Sequence, residues 1–191
     1  MIQFDSHLDT WGAYFGMSYT HGSFVVRAIE EGVIDPTAST QVAIRGMLFG
    51  PEDIERSERW GLLAITAEEM ATMTVHEVAR RVRERAGDRP VYLTFDIDGV
   101  DPAYAPGTGT PEVGGPSSRD ATMFIQALAG IRLAGADVVE VAPAYDHAGE
   151  YRPARSPFGI GDPGRNGARS QKSATRVIGC GHRKGGPRSR G

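Results

Sequence analysis

The segment Val91-Tyr92-Leu93-Thr94-Phe95-Asp96-Ile97-Asp98-Gly99-Val100-Asp101-Pro102 decides how the chain is read. Pro90 breaks whatever precedes it, and the aliphatic, aromatic and β-branched residues that follow predict a strand over 91–95. That strand runs directly into two carboxylates, Asp96 and Asp98, and then into residues 99–116, whose glycines and prolines predict a loop. Two carboxylates at the end of a buried strand raise each other's pKa unless a cation lies between them. A solvated strand end closing in a turn would carry the same Asp-x-Asp pair, so the pair does not settle the matter alone.

A second cluster, Asp5-Ser6-His7-Leu8-Asp9, follows the short apolar run Ile2-Gln3-Phe4. Alternate side chains of an extended segment point the same way, so Asp5, His7 and Asp9 are expected to converge just beyond a strand. Oxygen and imidazole ligands together suit a borderline or hard divalent ion such as Mn2+. An isolated Asp-x-His-x-Asp also arises by chance, and a single histidine is more often structural. Two such clusters at strand ends offer four carboxylates and one imidazole, most of a binuclear site in which one carboxylate from each strand could bridge the ions.

Between and beyond the clusters, the pattern alternates. Residues 25–32 predict a short helix with Gly32 as its cap, and 41–45 a strand closed by Gly46. Residues 62–65 predict another strand. Thr66 and Glu69 then have capping-box spacing for a helix over 67–72. Val75, Val78, Ala79, Val82 and Ala86 fall at helical spacing over 75–86. A helix capped by Ser117 or Ser118 runs to about 129, and 136–141 predicts the last strand. Strands alternating with helices imply an α/β fold with a mostly parallel sheet. In such sheets ligands bind beyond the carboxyl ends of the strands, which is where both aspartate clusters fall.

The net charge of −3 is unevenly spread. Residues 151–191 hold ten basic side chains against one acid, a net +9, which leaves −12 for residues 1–150. This divides the chain into a folded domain over 1–150 and a basic Gly-, Arg- and Pro-rich tail over 151–191, expected to be disordered for want of apolar surface to bury. The tail's aromatic residues are limited to Tyr151 and Phe158 and no basic motif repeats, so a nucleic-acid partner is not expected. No apolar run approaches the length of a membrane span, and no signal-peptide pattern opens the chain. Cys180 is the single cysteine, which excludes an internal disulfide framework and points to the cytoplasm.

With these residues in view, the chain resembles the arginase–agmatinase family of ureohydrolases. Phe4 to Asp9 (FDSHLD) is similar to that family's first metal motif, 95–112 (FDIDGVDPAYAPGTGTPE) to its long signature, and 137–143 (DVVEVAP) with Tyr145-Asp146-His147-Ala148 to its third block. Arg45-Gly46 and 20–32 also fit. The resemblance implies a three-layer α/β/α fold, incomplete here at its N-terminal side, and hydrolysis of a linear guanidino compound to urea and an amine by two Mn2+ ions. It implies that Asp5 and Asp96 bridge the ions, that Asp9 ligates the first, and that His7 and Asp98 ligate the second. Asp9 would also protonate the leaving amine, His21 would shuttle protons near the substrate, and Glu140 would hold the guanidinium by charge-assisted hydrogen bonds. Agmatine is the expected substrate. Guanidinobutyrase, guanidinopropionase and proclavaminate amidinohydrolase specificities are the alternatives. Intact members are expected to be homo-oligomers that act on a small guanidino substrate, with no membrane partner.

The chain also departs from the family pattern. The family supplies a further metal-ligand histidine from a Gly-Gly-Asp-His block ahead of the first strand, and none of His21, His76, His147 or His182 lies in such a block. After Ala148 the family's apolar closing helix is replaced by basic sequence resembling a GC-rich gene read in a shifted frame. The expectation is a truncated or frameshifted ureohydrolase whose 191 residues alone release little or no urea. A non-catalytic metal-binding remnant is the second reading. A zinc deacetylase-like hydrolase is disfavoured, because the chain has no His-His pair and keeps both aspartate clusters.

Overall fold

The structure, a computed structural model, describes residues 1–48 and 50–146. The expected basic tail over 151–191 lies outside the described residues, as does His147. Five strands form one parallel sheet: β1 (Ile2–Phe4), β2 (Thr40–Ile44), β3 (Leu63–Thr66), β4 (Val91–Asp96) and β5 (Leu133–Val139), in the order β3-β2-β1-β4-β5. The helices are α1 (Phe24–Glu30), α2 (Pro51–Trp60), α3 (Ala67–Ala71), α4 (Val75–Ala86) and α5 (Ser118–Ala127). The fold is α/β, as the alternating pattern predicts, and among the described residues no helix is long and apolar enough to cross a membrane.

Side-chain alternation along the central strands separates two faces. Ile2 and Phe4 of β1, Val42 of β2, and Val91, Leu93 and Phe95 of β4 join one apolar core with Val78, Ala79 and Val82 of α4 and Phe124 of α5. Phe4 stacks on Phe95 with ring centroids 4.6 Å apart, and Phe124 tilts against Phe4 at 5.6 Å. The intervening residues Gln3, Gln41 and Thr94 are equally buried but polar, and stand outside that cluster.

The helix ends follow their sequence signals. Thr74 accepts from the Glu77 amide and Glu77 returns a bond to the Thr74 amide, a reciprocal cap on α4. Ser117 and Asp120 do the same for α5, whereas Thr66 caps α3 through the Glu69 amide alone. Gly32 takes a positive φ of 68° just past α1, where its missing Cβ removes the penalty.

Two elements differ from the sequence reading. The last strand begins and ends earlier than the expected 136–141, running Leu133–Val139, which leaves Glu140 just beyond its end with φ 57°. Helix α2 is not announced by apolar periodicity, because its buried residues are Asp53 and Ser57.

Phe124 is fully buried against the stacked Phe4–Phe95 pair. Phe124→Ala is expected to lower the unfolding free energy by about 3–5 kcal/mol, measured by denaturant titration of the two chains. A loss below about 1 kcal/mol would show that α5 does not seal the core in this way.

Candidate metal centre

Strand order places the site. From the central β1 the chain steps outward to β2 and β3 on one side, then returns to β4 and β5 on the other, so order reverses between β1 and β4. Carboxyl ends at such a switch point leave a crevice for ligands. The β1–β4 register pairs Phe4 with Phe95, so Asp5 and Asp96, one residue further on, leave neighbouring strands side by side.

Each carboxylate then turns its own chain. Asp5 Oδ1 accepts the His7 amide at 2.6 Å, and Asp96 Oδ1 accepts the Asp98 amide at 2.8 Å. These matching bonds to the second residue onward fold the backbone back, through a bend after Asp5 and a 3-10 turn over Ile97–Gly99. The extended alternation expected over 5–9 is therefore not what brings the side chains together. Asp9 departs further from it, with a left-handed φ of 52°.

The result is a tight group. Asp5, His7 and Asp98 each present a ligand atom within 4.8 Å of the others. His7 Nδ1 lies 3.1 Å from Asp98 Oδ2 and 3.6 Å from Asp5 Oδ1. The Ser6 amide and hydroxyl donate to Asp98 Oδ1 at 3.1 and 2.7 Å, and the Thr110 hydroxyl to Asp98 Oδ2 at 2.9 Å. Asp9 is joined to the group by an amide relay: Gln3 Nε2 donates to Asp5 Oδ2 at 2.7 Å and to Asp9 Oδ2 at 3.2 Å. Gln41 Nε2 in turn holds Gln3 Oε1 at 2.8 Å and the Leu8 carbonyl at 2.6 Å.

Burial and crowding set the charge states. Burial, then Asp5 and Asp98, push the Asp96 carboxyl up to about 9. Burial also raises Asp5, and burial with the neighbouring Asp5 raises Asp9 well above the usual carboxylate range. For His7, burial opposes protonation, but hydrogen bonds and charges from Asp5 and Asp98 prevail and lift it to about 11. Asp98 responds in kind: burial works against its charge, yet the His7 and Ser6 bonds hold it down at about 2. The imidazolium thus stands in the group as its nearest cation.

The remaining candidates lie around this group. Glu140 follows β5, which runs beside β4, and adds to the negative charge felt by Asp96. His21 is exposed in a 3-10 turn and packs edge-on against Tyr14, with ring centroids 5.3 Å apart. Among the described residues no hydrogen bond or ion pair joins His21 or Glu140 to the aspartates. The structure also shows residues that the sequence reading passed over: Gln3, Ser6 and Thr110 bond the acids directly, and Gln41 stands one step behind them through Gln3. Arg45, noted only as part of a motif, packs its guanidinium against the site's backbone, and Glu112 Oε1 lies 3.6 Å from His7 Nε2. The broad cleft between α4 and the end of α5, which includes His76, Arg80 and Gly130, shares no residue with the group.

Clustered oxygen donors with one imidazole nitrogen, held in place and short of positive charge, are the donor set of a divalent-cation site. Asp5, His7 and Asp98 could hold one such ion, whereas Asp9 and Asp96 lie outside that group.

The chain is similar to known proteins. The arginase family profile matches residues 1–154. Guanidinopropionase of Pseudomonas aeruginosa is 45% identical over 150 residues, covering 78% of this chain and 47% of that protein. An agmatinase of Neisseria meningitidis serogroup C is 43% identical over 148 residues, covering 78% and 45%. The solved structure of proclavaminate amidinohydrolase from Streptomyces clavuligerus superposes with a TM-score of 0.74 at 41% identity, over 78% of this chain and 49% of that one. The chain thus spans about half the length of the curated relatives it matches.

The charge states fix the pH dependence of the metal-free protein. Asp96 rises from 3.8 to about 9 and His7 from 6.5 to about 11, so both bind protons more tightly when folded. The stability each contributes is complete below its unfolded value and is lost as pH rises through its folded value. Asp98 acts in the opposite sense, but only between about 2 and 3.8. With a chelator present, the urea midpoint of unfolding is expected to fall steadily from about pH 5 to about pH 9. A flat or rising midpoint over that range would contradict a crowded, uncompensated cluster.

Proposed function

Since the chain belongs to the arginase family, we propose that it supplies the larger part of the metal centre of an amidinohydrolase, which hydrolyses a linear guanidino compound to urea and an amine. The observation that carries this reading is the convergence of Asp5, His7 and Asp98, with Asp9 and Asp96 beside them, at the switch point of a parallel sheet. Agmatine is the proposed substrate and Mn2+ the proposed ion. The names of the relatives support a guanidino substrate and leave its other end open, since they include a guanidinopropionase and a proclavaminate amidinohydrolase as well as agmatinases.

A guanidinium carbon is a poor electrophile because its charge is delocalised, so the reaction needs a strong nucleophile at neutral pH. Two divalent ions, when bound, lower the pKa of a shared water and supply hydroxide. The residues of this chain do the rest. Asp5 and Asp96, which leave adjacent strands, would be shared by the two ions, Asp9 would hold the first, and His7 and Asp98 would hold the second. Asp9, whose burial beside Asp5 favours its protonated form, is the group suited to hold a proton and pass it to the departing amine. Glu140, on the next strand end, is suited to orient the planar cation by paired charge-assisted hydrogen bonds. The exposed His21 is suited to exchange protons with solvent.

The test is Mn2+ binding to this chain, followed by urea release from agmatine, 3-guanidinopropanoate and 4-guanidinobutanoate by the complete enzyme to which these residues contribute. Agmatine is expected to be the preferred substrate. Asp96→Asn removes a charge shared by both ions and is expected to reduce urea release at least about 100-fold. Urea release that survives this substitution, or a chain that takes up no Mn2+, would refute the assignment.

A further inference from the structure

The proposed metal centre leaves two residues unaccounted for, Arg45 and Glu112, and the geometry connects them to each other and to His7. Arg45 follows β2, beyond a bulge at which Ala43 adopts a φ of 76°. Its guanidinium meets no carboxylate within ion-pair distance among the described residues and grips backbone carbonyls instead. Nη1 donates to Ala43 at 3.1 Å and Gly99 at 3.0 Å. Nη2 donates to Asp98 at 2.9 Å and Glu112 at 2.6 Å, and Nε to Glu112 and Val113 at 3.2 Å each. One side chain thus ties the end of β2, the 3-10 turn that carries Asp98, and the loop that carries Glu112. Five donors in a fixed fork suit arginine to this task. The contact is also close, because a Cβ on Gly115 would come within 2.5 Å of Nη2.

This anchoring places the Glu112 carboxylate against the outer edge of His7. The ring turns Nδ1 towards Asp98 and Asp5, while Nε2 faces Glu112 Oε1 at 3.6 Å. Gly46 walls the ring from one side, since a Cβ there would meet His7 Cδ2 at 2.3 Å. A histidine that gives one nitrogen to a metal needs its other N–H accepted, because that bond fixes both tautomer and ring orientation. Glu112 is half-buried, and its backbone is held by Arg45, so it can serve without the mobility of a surface glutamate.

We propose that Glu112 is a positioning residue of the metal centre: when an ion is held, its carboxylate closes the 3.6 Å separation and accepts Nε2–H of His7, so that Nδ1 faces the Asp5–Asp98 pair, and Arg45 anchors its backbone for this. The inference rests on the metal-centre reading above and assigns roles that the reading does not.

The experiment counts bound Mn2+ on the 191-residue chain through the electron paramagnetic resonance signal of the free ion, for wild type, Glu112→Gln, Glu112→Ala, His7→Ala and the Glu112→Ala/His7→Ala double variant. Glu112→Ala is expected to weaken Mn2+ binding by about 10–100-fold, with Glu112→Gln in between because its amide oxygen still accepts Nε2–H. The unfolding midpoint in chelator should move little for either. In the His7→Ala background, adding Glu112→Ala should change Mn2+ affinity no further, the mark of two residues acting through one interaction. Unaltered binding by Glu112→Ala, or additive losses in the double variant, would overturn the proposal. A wild-type chain that binds no Mn2+ would instead refute the metal-centre reading, and the inference would fall with it.

Discussion

The physical constraint on which the rest of the structure depends is the crowding of buried acids at two adjacent strand ends. Parallel pairing of β1 with β4 sets Asp5 beside Asp96, and each then bends its own chain so that a second ligand residue turns back into the same space. Like charges so placed cannot all remain ionised in a medium of low dielectric. The protein meets this by favouring the protonated carboxyls of Asp9 and Asp96 and by setting the imidazolium of His7 against Asp98, and its backbone and amide donors hold the oxygens in place meanwhile. Such a site is complementary to a cation before any cation arrives, the condition for binding with little rearrangement.

That complementarity carries a cost in the core. Gln3 and Gln41 are fully buried on neighbouring strands, where apolar residues would pack without needing partners. Their amides satisfy one another, the Leu8 carbonyl and two carboxylates, although Gln41 Oε1 finds no partner among the described residues. A bulge with a left-handed alanine in β2 is a second local cost, and it lies next to the arginine that organises the loop. Bulges beside functional sites commonly re-aim a side chain in this manner. Both features are understandable as local stability yielded to geometry at the sheet's carboxyl edge.

Much of this was legible in the sequence, for identifiable reasons. The strand over 91–95 is apolar throughout, ends at a breaker on one side and at carboxylates on the other, and is found where expected. Helix α4 shows its period plainly because Val78, Ala79, Val82 and Ala86 all face the core. Helix α2 was hidden because it buries Asp53 and Ser57 while leaving Ile54 exposed. Its end signals, Pro51 at the first turn and Gly61 in the left-handed region, could have revealed it. The bounds of β5 are poorly marked because most of its residues are exposed, so no alternation delimits them. At the site, the ligand types could be named from spacing, but the amide relay and the grip of Arg45 could not. Those depend on which strands are neighbours and in what register, which no local pattern encodes.

The hydrogen bonds from Ser6 to Asp98 close a span of 92 residues. The entropy of closing such a loop is about 4 kcal/mol, and grows only slowly with its length. An ion held by both strand ends would act as a reversible cross-link over this span. Unlike a disulfide, its contribution would vary with the concentration of free ion. His7 and Asp98 of the coordinating group lie far apart in the chain, so both could hold one ion only once β1 and β4 have paired. Occupancy would then report long-range order in the chain.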